Sequence, residues 1–311
     1  MVIAREIQRR ISSVGNIGQV TGAIEAVSAS KVRQAQAKVL ATRPYAQKSW
    51  QVLTHLASQT AAEAQLHPLL TRQPQVETIG IVLLTSDRGL CGAFNYNMAR
   101  AAMDFIESRG KPAKLITVGR KGRDLMWRAG YQIVAEFPSL PDSFSVLDIT
   151  PIARTAIEDF LRGVVDEVYL AYMDFINTLE QRPAVKRLLP IQPEDIETQA
   201  MGEYVEGVST VARAEYLYEP SPHVILDALL SRFTELQVYQ AVLESLASEH
   251  SARRNAMRNA TENADALVDD LTLSYNKARQ QSITSEILNI SAGSEALVNA
   301  ARTDRLGSPG T

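Results

Sequence analysis

Apolar and small positions recur every three or four residues from Ile3 to about Leu56, through Ile7, Ile11, Val14, Gly18, Thr21 and Ile24, then Val32, Ala35 and Val39. That spacing is helical. No proline occurs before Pro44, so the pattern predicts one helix over residues 1–58, roughly 80 Å long at about 1.5 Å per residue. The period returns at Ser221 and runs to about Ile290, free of glycine and, after Pro222, of proline. Leu229, Phe233, Leu236, Leu243, Leu246, His250, Met257, Ala264, Leu267, Leu271, Tyr275 and Ala278 trace one side of it. This stripe is thin and has small and polar members, as a two-stranded seam does and the face of a core helix does not. It predicts a second helix over 221–292. Residues 293–311 are expected to be an extended tail, with Gly307, Ser308, Pro309 and Gly310 favouring disorder at its tip.

Between the helices the period changes. Ile79–Leu84, Leu115–Val118, Gln132–Ala135 and Val168–Tyr172 are short apolar runs that predict buried strands, and Arg182 to Ile191 can add a last one with Pro183 near its start. Tyr96–Glu107, Gly122–Ala129 and Ile149–Leu161 predict the intervening helices. Strands alternating with helices give a Rossmann-like, doubly wound, parallel α/β domain over 75–195. From Gln192 to Glu219 seven acids stand against the single base Arg213, so 196–220 is expected to be an acidic linker. The fold class is therefore α/β, with the two terminal helices free to pair as a long antiparallel coiled coil.

Composition narrows the function. A net charge of -3 and a pI near 5.9 disfavour nucleic-acid binding. No apolar run approaches the roughly 20 residues needed to cross a bilayer, and Arg5, Glu6, Arg9 and Arg10 interrupt any signal-peptide core. The chain is expected to be soluble, meeting a membrane only through partners. Charge is uneven, however. Residues 1–58 carry eight lysines and arginines against Glu6 and Glu25, and Arg253, Arg254 and Arg258 form a second basic cluster. Both clusters lie on helices too long for their own domain to cover, which suits an acidic protein partner.

Chemistry is hard to find. Thr85-Ser86-Asp87-Arg88-Gly89-Leu90-Cys91-Gly92 follows a strand and precedes a helix, where Rossmann-like folds cradle phosphate. Gly89 and Gly92 do not make G-x-G-x-x-G, and no Walker A lysine follows. A tight strand-to-helix turn fits better than a nucleotide site. Cys91 is a lone cysteine with no identifiable base, and His55, His67, His223 and His250 lack metal-ligand spacing. Glu194, Asp195 and Glu197 resemble a solvated acidic loop. No catalytic, cofactor or metal residue is assigned.

Specific segments then resemble a known family in order along almost the whole chain. They are Val27-Ser28-Ala29-Ser30-Lys31, Arg43-Pro44-Tyr45, the Thr85–Gly92 stretch with Asn95, and Leu217-Tyr218-Glu219-Pro220. Gln237-Val238-Tyr239, Leu246-Ala247-Ser248-Glu249, Tyr275 to Gln280 and Ile283-Thr284-x-Glu286 follow. The series resembles the gamma subunit of bacterial-type rotary (F-type) ATP synthases. The resemblance implies a non-catalytic central shaft inside a ring of three alpha and three beta subunits, with its α/β domain touching the epsilon subunit and the membrane c-ring. It implies a peripheral position on the cytoplasmic face of the cell membrane and no cofactor of its own. Arg279, Gln280, Thr284 and Glu286 would meet beta-subunit loops, Arg253 would support that contact indirectly, and Lys31 would lie near the acidic lever of beta. A rotor-like scaffold or specialised paralogue outside the main synthase is the alternative.

The chain also departs from the family pattern. Gln19 and Gly22 stand where lysines are usual, Ile24 replaces a methionine, Asn289 replaces an acid, and Ser294-Glu295 interrupts a run of small residues. Gly15, Gly18 and Gly22 each cost a helix about 1 kcal/mol relative to alanine. Close approach of the partner helix, or a locally softer shaft, would account for them, and close approach is the preferred account.

Overall fold

The computed structural model describes residues 2–59, 67–138, 140–141, 144–192 and 222–306. In order these form α1 (Val2–Gln59), β1 (Ile79–Leu84), α2 (Phe94–Arg109), β2 (Ala113–Val118) and α3 (Arg120–Arg128). Then come β3 (Gln132–Phe137), α4 (Val146–Leu161), β4 (Glu167–Phe175), β5 (Gln181–Leu189) and α5 (Pro222–Leu306). The expected acidic linker lies outside the described residues. Two compact units result: Met1–Ile24 with Met257–Thr311, and Glu25–Ala256.

The first unit is a helix pair. On α1 the covered positions include Ala4, Ile7, Ile11, Val14, Gly18 and Thr21; on α5 they include Met257, Thr261, Ala264, Val268, Leu271, Tyr275 and Ala278. Both sets alternate steps of three and four, the 3.5-residue repeat of a coiled-coil seam. Gly18 meets Ala264, and three residues further along α1, Thr21 meets Thr261, three residues back along α5. The pairing is therefore antiparallel. The Thr21 and Thr261 hydroxyls hydrogen-bond across the seam at 2.7 Å. Leu267, expected on the stripe, is 47% exposed, and Val268 takes its place. Two adjacent apolar residues left the choice open, and the strict alternation from Ala264 to Leu271 decides for Val268.

Helix α5 continues to Leu306, so residues 293–306 are helical instead of an extended tail. Gly293 does not end it, because one interior glycine weakens a helix without breaking it. The stop signals Gly307 to Gly310 fall beyond the last described residue.

The glycines of α1 differ from one another. A Cβ on Gly15 would meet nothing within 4 Å, so close approach does not account for it; one on Gly18 would sit in ordinary contact, 3.5 Å from Ala264 Cβ. Gly15→Ala and Gly18→Ala are therefore expected to raise stability, each by about 1 kcal/mol. Thermal unfolding followed by circular dichroism checks this, and a lowered midpoint for Gly15→Ala would refute it.

In the second unit the strands order β3-β2-β1-β4-β5. β1 to β4 are parallel, and β5 runs antiparallel to β4 through a hairpin, which corrects the all-parallel expectation. A five-residue connection (176–180) is too short for a crossover. Alternate residues of the central strands serve two cores. Val82, Leu84, Leu170 and Tyr172 pack with Ile149, Ile152 and Ala156 of α4, with Trp50 and Leu53 of α1, and with Leu230 and Phe233 of α5. Ile81, Leu83, Leu115 and Ala171 pack with Phe94, Met98 and Ala102 of α2 and Met126 of α3. Helix α4 starts at Val146, three residues before the expected Ile149. Asp148 accepts the Ser145 backbone N–H at 2.7 Å and closes a capping box.

In this unit the helices again run antiparallel. Thr42 Oγ1 donates to Gln240 Oε1 at 2.6 Å, and further along α1 the Trp50 ring lies 5.4 Å from that of Phe233. From Phe233 to Ser251 almost every α5 residue is buried. That segment is covered by the sheet domain as well as by α1, which is why it carries apolar residues beyond one stripe.

Candidate functional site

Two places deserve a chemical reading: the turn after β1 and the end of α5. The turn is organised from within. The Thr85 hydroxyl donates to Val118 O at 3.0 Å and accepts the Gly122 N–H at 2.9 Å. The Ser86 N–H donates to Asn95 Oδ1 at 2.9 Å, and the Ser86 hydroxyl donates to Arg88 O at 2.6 Å. Asn95 Nδ2 donates to Ser86 Oγ at 2.8 Å and to Cys91 Sγ at 3.2 Å. Asp87 accepts the Arg120 N–H at 3.1 Å, tying the turn to the start of α3.

A phosphate cradle presents N–H groups to its ligand. Here Ser86 spends its N–H on Asn95, and the carbonyls of Arg88 and Gly89 face the Arg253 guanidinium of α5, at 3.5 and 3.3 Å from Nη2. Those two carbonyls are acceptors, the opposite of the N–H donors that a cradle presents. Cys91 is buried, and burial pushes its thiol above the ordinary value despite the Ser86 hydrogen bond and the Arg253 charge. A thiol held protonated is a poor nucleophile.

Arg253 pairs with Glu249, one turn earlier on α5, at 2.7 Å; their side chains are 12% and 15% exposed. Burial raises the Glu249 carboxyl above its ordinary range, and the Arg253 charge and hydrogen bond oppose that rise without cancelling it. Lys31 of α1, half-buried, adds its field at Glu249. Sequence reasoning gave roles to Lys31 and Arg253 but named Glu249 only within a family segment, with no role. Its i,i+4 spacing to Arg253 was the available signal.

Arg279, Gln280, Thr284 and Glu286 are exposed on α5 in the other unit. Thr284 spends its hydroxyl on Gln280 O of its own helix at 3.0 Å. The six residues thus fall into two groups, Lys31 with Arg253 and the four on the α5 end. The second group has a feature that sequence reasoning left unused. Past Ser282 the side of α5 that carries the seam is no longer covered. From Ile283 to Glu295 every residue is exposed, including Ile283, Ile287, Leu288 and Ile290 at 47–72%. Contiguous exposed apolar surface marks a docking face. The signal was the apolar spacing continuing past Ala278, through Ile283, Ile287 and Ile290.

His67 and His250 are buried, while His55 and His223 fall outside the described side chains. Among the described residues no group of three His, Cys, Asp or Glu could hold a metal. No described helix is long and apolar enough to cross a membrane.

Comparison with known proteins points one way. A family model described as ATP synthase matches residues 4–297. The ATP synthase gamma chain of Herpetosiphon aurantiacus is 47% identical over 305 residues, covering 96% of this chain and 99% of that one. The gamma chain of Chloroflexus aurantiacus is 46% identical over 302 residues, covering 96% and 100%. Among solved structures, a chain of the Euglena gracilis mitochondrial ATP synthase (OSCP/F1/c-ring, rotational state 3) superposes with a TM-score of 0.65, 21% identity and 96% coverage of both chains. A chain of the Tetrahymena thermophila central stalk and c-ring gives 0.56 at 23% identity, covering 78% of this chain and 99% of that one. At those identities the solved structures establish the fold; the gamma-chain relatives carry the family.

Proposed function

The chain belongs to the ATP synthase gamma-chain family, and we propose that it is the central shaft of the machine, turning ion-driven rotation of a c-ring into conformational change at catalytic sites on neighbouring subunits. The observation that supports this most directly is the uncovered end of α5, with Ile283, Ile287, Leu288 and Ile290 exposed beside Arg279, Gln280, Thr284 and Glu286. An apolar helix with scattered polar groups suits a sleeve of three alpha and three beta subunits. The polar residues would engage beta loops there, Arg253 would support that contact indirectly, and Lys31 would lie near the acidic lever of beta. The α/β domain would meet the epsilon subunit and the c-ring, at the cytoplasmic face of the membrane. ATP synthesis or hydrolysis is the work of the complex; this chain is its non-catalytic rotor.

A rotor needs no hydrolytic group. It must bind one conformer of a catalytic subunit better than another, since only differential affinity shifts a population. An asymmetric helix pair does this by presenting different residues at each angle. The test is co-expression of the full chain with alpha and beta subunits of a gamma-chain relative. Capture on this chain should recover both subunits in a complex that hydrolyses ATP, whereas the isolated chain should not hydrolyse it. Failure to recover alpha and beta would overturn the proposal and support a scaffold outside the synthase.

A further inference from the structure

The strand order places β1 next to β4, with α2 and α3 on one face of the sheet and α4 on the other. Doubly wound sheets bind ligands in the crevice beyond the strand ends where the order reverses. Here the loops after β1 and after β4 border that crevice. We propose that this crevice is a socket for α5, and that hydrogen bonds from Ser248, Ser251 and Asn255 fix the rotational setting of α5 on the α/β domain. The inference rests on the rotor function proposed above, and names where the shaft helix is locked to its domain.

The contacts are specific. The Ser248 hydroxyl donates to Met173 O at 3.1 Å, the Ser251 hydroxyl to Thr178 O at 2.7 Å, and Asn255 Nδ2 to the same carbonyl at 2.9 Å. Ser248 and Ser251 are fully buried. The three donors are spaced three and four residues apart, so they share one face of α5. Arg253 reaches the Arg88 and Gly89 carbonyls from the opposite side of the helix. Between them, Ala252 packs on the core beneath α2, and a Cβ on Gly92 would lie 3.9 Å from Ala256. Both loops at the ligand position therefore turn carbonyl oxygens inward, and donors of the chain's own helix meet them.

The Ser248 bond reaches the body of β4 and the other two reach the loop after it, so the helix is held at two places on the domain. An apolar contact is non-directional and tolerates rotation of a helix about its axis. A hydrogen bond weakens steeply when bent. Three of them on one face, with a guanidinium behind, hold the helix at one angle, so torque on the domain passes into α5 without slip.

The test uses the full-length triple variant Ser248→Ala/Ser251→Ala/Asn255→Leu in a complex with alpha and beta subunits. A bead on the α/β domain reports angular fluctuation during ATP-waiting pauses. Its variance should at least double, while ATP hydrolysis stays within two-fold of the parent; unchanged variance overturns the socket. If the triple variant does not assemble, Ser251→Ala is measured beside Ser251→Thr. The threonine hydroxyl should keep the parental variance and the alanine should raise it, and equal values for both refute the proposal. A second readout needs no partner: dipolar distances between spin labels on Tyr96→Cys and Arg254→Cys in the isolated chain. Their distribution should broaden in the alanine variant, and an unchanged width counts against the socket. Failure of the parental chain to capture alpha and beta would instead sink the rotor function.

Discussion

Truncating Phe233 to alanine is expected to remove about 3–5 kcal/mol of stability, the range for deleting a large aromatic side chain from a packed core. Phe233 is 1% exposed, and its ring lies 5.4 Å from that of Trp50 at 39°. The pair joins α5 to α1 within the core that also holds Val82, Leu170 and Ile152. Rigid secondary structure on several sides limits how far the cavity can collapse, so the cost belongs toward the upper half of the range. Aromatic pairing adds about 0.5–1.5 kcal/mol beyond area burial. Urea unfolding checks the magnitude, and fluorescence checks the place. Trp127 is 73% exposed and Trp50 is buried, so a red shift on mutation reports loosening around Trp50. A loss below about 1 kcal/mol, the scale of an ordinary substitution, would mean that this ring pair does not anchor the helices. Leu273→Ala, on a residue 71% exposed, is the neutral comparison.

Legibility in the sequence tracked how local the determining physics is. The terminal helices were readable because their period is written in consecutive residues and because neither has a break across the seam. Register was harder. Choosing Val268 over Leu267 requires the alternation of steps that partner packing enforces, and single-residue hydropathy does not carry it. The strands were readable as apolar runs, but the direction of β5 follows from a connection too short for a crossover. The start of α4 was readable in principle, since Ser145 and Asp148 stand at capping-box spacing. Gly15, which lacks any near neighbour, shows the limit of reading packing from a glycine.

The candidate site divides the same way. Arg253 was visible as part of a basic cluster, yet its partners Glu249, Arg88 and Gly89 include two backbone carbonyls, to which sequence gives no label. Ser248, Ser251 and Asn255 read as polar interruptions of an apolar helix. Their meaning depends on carbonyls in a hairpin more than 70 residues away, as the sequence separations of 75, 73 and 77 show. The stretch after β1 forms a hydrogen-bonded turn between strand and helix, which its glycines made readable.

Gly119→Ala is the other substitution with a large expected effect, roughly 2–6 kcal/mol when backbone strain and overpacking are combined. Gly119 links β2 to α3 at φ +92°, a conformation that L side chains rarely adopt. A Cβ there would lie 2.7 Å from the Thr85 carbonyl carbon and 3.0 Å from its Oγ1. Neither atom is free to yield. The Thr85 N–H donates to Val118 O at 2.9 Å, the Gly119 N–H to Phe137 O at 3.1 Å, and Thr85 Oγ1 accepts from Gly122. Relief requires parting the C-terminal ends of β1 and β2, which displaces the turn that carries Arg88 and Gly89. Gly89→Ala makes the control, because an added Cβ meets nothing within 4 Å; it should change stability by no more than about 0.5 kcal/mol. Chemical denaturation of the two variants side by side separates the cases. Equal midpoints would show that β1 and β2 can part without cost, and that the edge of the sheet facing α5 is softer than its hydrogen bonds imply.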